Sequence, residues 1–145
     1  MKRYRFRLEQ VLRVRRIEEE QAKASLVAAN RHVTETEALL NAKIERYASI
    51  TNPVGTRSVN DFLTARAGHE AAAAAVVSAG AALDDARRGA EDARQGWMLA
   101  ASRVTALENL DARRRAEHAA EAEHEAAMEI DDLVTSRYGR QLLAA

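Results

Sequence analysis

In the second half of the chain Phe62, His69, Val76, Leu83, Ala90, Trp97 and Val104 stand seven residues apart, and three residues after each stand Ala65, Ala72, Ala79, Ala86, Ala93, Ala100 and Leu107. Such a repeat is the a/d seam of a coiled coil, sustained here for about six heptads. It stops near Leu107, because the next seam positions are Asp111, Arg114, His118, Glu121, Glu125 and Asp132, with only Met128 apolar. A weaker seam runs through the first half. Leu12, Leu26, Val33, Leu40 and Tyr47 keep heptad spacing, Leu8, Ala22, Ala29 and Ile50 fall between them, and Arg15, Glu19 and Lys43 interrupt.

The two seams are separated by the only proline, Pro53, within Thr51-Asn52-Pro53-Val54-Gly55. Proline and glycine this close together end a helix. The pattern predicts helix 1 over about residues 4–50, a turn at 51–58 and helix 2 over about 59–143. Ser58 followed by Asp61 makes a weak capping box for helix 2, with Asn60 as the alternative cap. Gly68, Gly80, Gly89 and Gly96 are candidate bend points, each costing ~1 kcal/mol against alanine inside a helix.

Two helices joined by a turn pack antiparallel, so the numbers of facing residues add to a near constant. One constant, 109, pairs Leu12 with Trp97, Leu26 with Leu83, Val33 with Val76 and Tyr47 with Phe62. A rival near 133 would set the basic first residues against the acidic stretch at 117–132. Packing opposes it: a large buried apolar side chain is worth ~1.5–3 kcal/mol, an exposed ion pair at most about 1. The expected fold is therefore all-α, a single domain formed by a long two-helix antiparallel coiled-coil hairpin. Its C-terminal helix should protrude, unpaired beyond about residue 108, for its last ~35 residues. Near the end of that overhang Met128, Ile130, Leu133, Val134 and Tyr138 make a short amphipathic patch with the look of a docking surface.

Composition fits a slender solvated molecule. The 145 residues are 30% charged, contain two phenylalanines and one tryptophan, and draw much of their apolar share from alanine. Cysteine is absent, which excludes disulfide and thiol chemistry. No run approaches the ~20 apolar residues of a membrane span, and no apolar stretch follows the basic start as in a signal peptide, so a cytoplasmic protein is expected. Net charge is zero but uneven: residues 1–16 carry seven Lys or Arg against one Glu, and residues 117–132 carry seven Asp or Glu with no Lys or Arg.

No catalytic motif emerges. A Gly-rich phosphate loop, a Cys-based metal pattern and a nucleophile elbow are all missing, so no enzyme activity, cofactor or metal is expected. His118, Glu121, His124 and Glu125 lie within two turns, yet nothing closes a coordination shell around them. His69 reads as a tolerated polar seam residue. The basic start with Tyr4 and Phe6 falls short of the one-sided footprint of a nucleic-acid binder.

The opening, KRYRFRLEQVLRVRRIEEEQAKASL, resembles that of the flagellar export protein FliJ family: F-R-L, then V-L, an Arg run and E-E-E-Q-A. The late segment LENLDARRRAEHAAEAEHEAAMEIDDLVTSRY is similar to that family's charged C-terminal helix. The resemblance implies a non-enzymatic, stalk-like antiparallel coiled coil of the flagellar type III export apparatus, shaped like the γ-subunit stalk of rotary ATP synthases. Implied partners are the hexameric export ATPase, the export-gate membrane protein and export chaperones, at the cytoplasmic face of the inner membrane. Leu40, Tyr47 and Phe62 match the family's gate-binding Leu, Tyr and Phe, whereas Lys43, Arg66 and His69 beside them depart from the usual types. For the ATPase the candidates are Arg13, Arg15 and Arg16 with Arg113, Arg114 and Arg115. Two other classes fit the residues: a self-associating structural coiled coil, and a nucleic-acid or membrane-surface adaptor using the basic end.

Overall fold

A computed structural model describes residues 3–50 and 58–144, and within them the chain forms two α-helices: α1, Glu9–Ser49, and α2, Val59–Ala144. The expected turn around Pro53 and Gly55 lies outside the described residues. Ser58 caps α2 as its spacing predicts, its Oγ accepting from the Asp61 N–H at 3.1 Å and its carbonyl from the Phe62 N–H. At the other end of α1, Ser49 Oγ donates to the Arg46 carbonyl, satisfying one of the acceptors a helix C-terminus leaves open.

Helix α1 begins at Glu9 rather than near residue 4. Arginines at 3, 5 and 7 would place three cations at the positive end of the helix dipole, whereas Glu9 in the first turn suits it. Leaving residues 3–8 non-helical also lets Tyr4 and Phe6 find a second surface. Their burial follows a period of two: Arg3, Arg5 and Arg7 are exposed, Tyr4 and Phe6 half-buried.

The chain divides into two compact units, one of Met1–Ile17 with Ala101–Ala145 and the other of Glu18–Ala100. In the second unit the seam closes as its heptads predict. Ala72, Ala79, Leu83, Ala86 and Ala100 of α2 are buried, Val76, Ala90, Ala93 and Trp97 half-buried. From α1 come Ala22, Leu26, Ala29, Val33 and Leu40, half-buried, and Thr36, buried with its hydroxyl donated to the His32 carbonyl at 2.6 Å. Alanine on one helix leaves only a thin core, and among the described residues no side chain is completely enclosed.

The register differs from the expected one. Tyr47 packs on His69, not Phe62, with ring centroids 4.7 Å apart, and those numbers add to 116. Glu37 pairs with Arg87 at 2.9 Å, adding to 124. In the other unit Arg16 pairs with Glu108 at 3.0 Å, again adding to 124. The helices are thus displaced by at least one heptad from the 109 alignment. A slip of seven residues returns every seam residue to a seam position, so apolar pattern alone cannot choose between registers. The observed one brings opposite charges together at e positions of both helices, and it leaves Phe62 62% exposed.

In the unit of Met1–Ile17 with Ala101–Ala145, the core is Leu12, Val104 and, further along α2, Ala122. Helix α2 is therefore not unpartnered from residue 108: Tyr4 meets it at Asp111, Arg115 and His118, and Ala122 is the last buried residue along it. Every residue from Glu123 to Ala144 is exposed, so the solvated end is shorter than the expected overhang.

A basic end with an intramolecular clasp

Three residues of α2 at helical spacing, Asp111, Arg115 and His118, lie along one side of the helix and together cradle Tyr4. The Tyr4 hydroxyl donates to Asp111 Oδ1 at 2.7 Å. The Arg115 guanidinium donates to Asp111 Oδ2 at 3.1 Å and stands 5.4 Å from the centre of the Tyr4 ring, within cation–π range. His118 meets the same ring edge-on at 5.5 Å. Partial burial, and then the hydrogen bond to the Asp111 carboxylate and its negative charge, raise the Tyr4 phenol above its ordinary pKa, with Arg115 and Arg114 opposing. The sequence reading missed this clasp. Its signals are the period-two alternation Arg-Tyr-Arg-Phe-Arg-Leu and the i, i+4, i+7 spacing of the cradle.

The six arginines expected to meet an ATPase fall in one compact unit, but they are not equally available. Arg16 is paired with Glu108, Arg114 with Glu117 at 3.2 Å and Arg115 with Asp111; Arg15 is engaged as well. Arg13 and Arg113 are exposed and have no partner among the described residues. The paired ones remain largely solvated, and such surface pairs are worth ~0–1 kcal/mol, little enough for a partner to exchange.

The three residues matched to a gate-binding patch fall in the other unit. Leu40 is half-buried, Tyr47 is 38% exposed and stacked on His69, and Phe62 stands on the first turn of α2. The structure thus joins Tyr47 to His69 rather than to Phe62. Val59, Leu63 and Ile44 are exposed apolar neighbours along the helices that the seam analysis left out, because none is a seam position. His69 Nδ1 and Trp97 Nε1 are buried in this seam without a hydrogen-bond partner.

Beside the clasp runs a groove of ≈ 980 Å³, with Phe6, Leu8, Leu110 and Ala122 among its lining. Among the described residues no group of three or more His, Cys, Asp or Glu is placed to hold a metal ion; His118 is turned to Tyr4 instead. No described helix is long and apolar enough to cross a membrane.

Two paired helices, a charged surface and an exposed helical end define a helical hairpin of the coiled-coil interaction class. The family model described as flagellar FliJ protein matches residues 4–143, and the chain belongs to that family. It is accordingly a component of the flagellar protein export apparatus, in a family of structural export proteins rather than a known family of enzymes. No curated protein and no solved structure matches it.

Proposed function

We propose that the chain works as a stalk of the flagellar export apparatus that binds the hexameric export ATPase through its arginine-rich unit and the exposed end of α2. The observation that carries this reading is the stretch Glu123–Ala144, exposed throughout, on which Ile130, Leu133, Val134 and Tyr138 stand 46–66% open to solvent. A helix that is merely solvated has no use for such a stripe, whereas one that enters a ring does. Arg13 and Arg113, unpaired among the described residues, supply charge for an acidic rim, and Arg15, Arg16, Arg114 and Arg115 join by exchanging surface partners. Leu40, Tyr47 and Phe62 serve the export gate, with exposed Phe62 as the anchor, and the same protein hands over export chaperones at the cytoplasmic face of the inner membrane.

The test adds the protein to purified export ATPase and follows ring assembly and ATP turnover. Both should rise, and Ile130→Asp with Val134→Asp should abolish the rise while leaving helix content unchanged. No change in either quantity with the wild-type chain would remove the ATPase from its partners. For the gate, Phe62→Ala in a folded chain should weaken binding; unchanged affinity would return Phe62 to plain surface.

A further inference from the structure

Arg3, Arg5 and Arg7 take no part in the clasp. All three are exposed, and none has an ion pair or hydrogen bond among the described residues. Tyr4 and Phe6, turned the other way, are what hold them out: with Tyr4 on Asp111, Arg115 and His118, the intervening arginines project from a tethered segment rather than a loose one. Their Cα atoms follow one another at no more than ~7 Å, Arg7 standing at the turn into α1 where the Glu9 N–H donates to the Phe6 carbonyl, so three cations gather on one short tethered segment. An α-helix with carboxylates four residues apart repeats every ~6 Å, close enough for flexible arginine side chains to follow.

We propose that Arg3, Arg5 and Arg7 are a recognition ladder for an acidic helix of a partner protein, kept in place by the Tyr4 clasp. The surroundings choose the partner class. Glu117, Glu121 and Glu125 line the same groove as the three arginines without neutralising them. A flat anionic bilayer or a polyphosphate strand pressed onto the ladder would meet those carboxylates too, and like charge would repel it. A single helix is narrow enough to lay an acidic edge on the arginines alone, and its own basic residues can answer the glutamates. The clasp adds affinity by lowering the ordering cost: the segment that carries the arginines is already tethered before the partner arrives.

Titration calorimetry on the full chain tests this, with a synthetic alanine-based helix bearing glutamate at every fourth position and its glutamine counterpart as probes. Vesicles of about 30% phosphatidylglycerol and an oligothymidylate serve as competing classes. The glutamate helix should bind, and more weakly as salt rises. Replacing Arg3, Arg5 and Arg7 together by alanine should weaken it about tenfold, while Arg31→Ala with Arg103→Ala, two exposed arginines elsewhere on the helices, should change it by less than about twofold. Tyr4→Ala, which retains all three arginines, should still lose several-fold. Circular dichroism confirms that each variant keeps its helices. Equal binding of the glutamate and glutamine helices, tighter binding to vesicles or oligonucleotide, or equal losses in the two arginine sets would overturn the assignment.

Discussion

The unit of Glu18–Ala100 is held by repetition, and the unit of Met1–Ile17 with Ala101–Ala145 by a single clasp. In the first, small residues at every d position of α2 meet α1 along a seam of interchangeable layers, each modest in energy. In the second, a handful of unlike groups, a phenol, a carboxylate, a guanidinium and an imidazole, meet at one place. Repetition spreads stability over many weak contacts and leaves alignment loosely specified. A clasp of unlike groups specifies alignment and is sensitive to a single change.

The largest effect should come from the seam. Leu83, 4% exposed, is the most buried large side chain of its unit, and Leu83→Ala should cost about 2–4 kcal/mol in urea unfolding. A loss below about 1 kcal/mol would mean that the layers on either side of Leu83 hold without it. Next comes His69→Leu, which removes a buried imidazole nitrogen that has no partner, and it should raise stability by about 1–2 kcal/mol.

The third prediction concerns alignment. Cysteines at Tyr47 and His69 should cross-link within one chain, and cysteines at Tyr47 and Phe62 should not; the reverse outcome would restore the 109 register. The fourth breaks the clasp by titration. The Tyr4 phenol has a raised pKa, so its contribution is complete below the ordinary tyrosine value of 10.0 and is lost as pH rises through the higher folded value. A nuclear Overhauser contact between the Tyr4 and His118 rings should therefore hold at neutral pH and fade above pH 10 in the wild-type chain, and in Tyr4→Phe it should be weakened already at neutral pH. The smallest effect is Gly89→Ala: a Cβ there meets nothing within 4 Å, and α2 should gain up to ~1 kcal/mol.

Which residues face inward was legible in the heptads, from Ala22 to Leu40 on α1 and from Ala65 to Leu107 on α2, since a buried stripe needs only a period. Register was not, because a period cannot reveal its own phase; pairs such as Glu37 with Arg87 mark it, and these exist only with both helices in place. The start of α1 was misplaced for a different reason. Tyr4 and Leu8 satisfy helical spacing as well as Tyr4, Phe6 and Leu8 satisfy alternation, and six residues are too few to separate the two. Of the candidate site residues, the arginine clusters were found by composition. Arg114 with Glu117 and Arg115 with Asp111 are pairs within one or two helical turns, whereas Arg16 with Glu108 and Arg115 with the Tyr4 ring join residues about a hundred positions apart.

Two ladders with identical rungs can be laid together in several ways, and a joiner would drive one peg to choose among them. Tyr4 is such a peg. Lodged between Arg115 and His118, it fits no other point on α2, since the trio Asp111, Arg115 and His118 occurs once. Pulling that one phenol would free the segment before α1 from its place on α2 within this unit, so a single hydroxyl group holds a stretch of chain several times its own length.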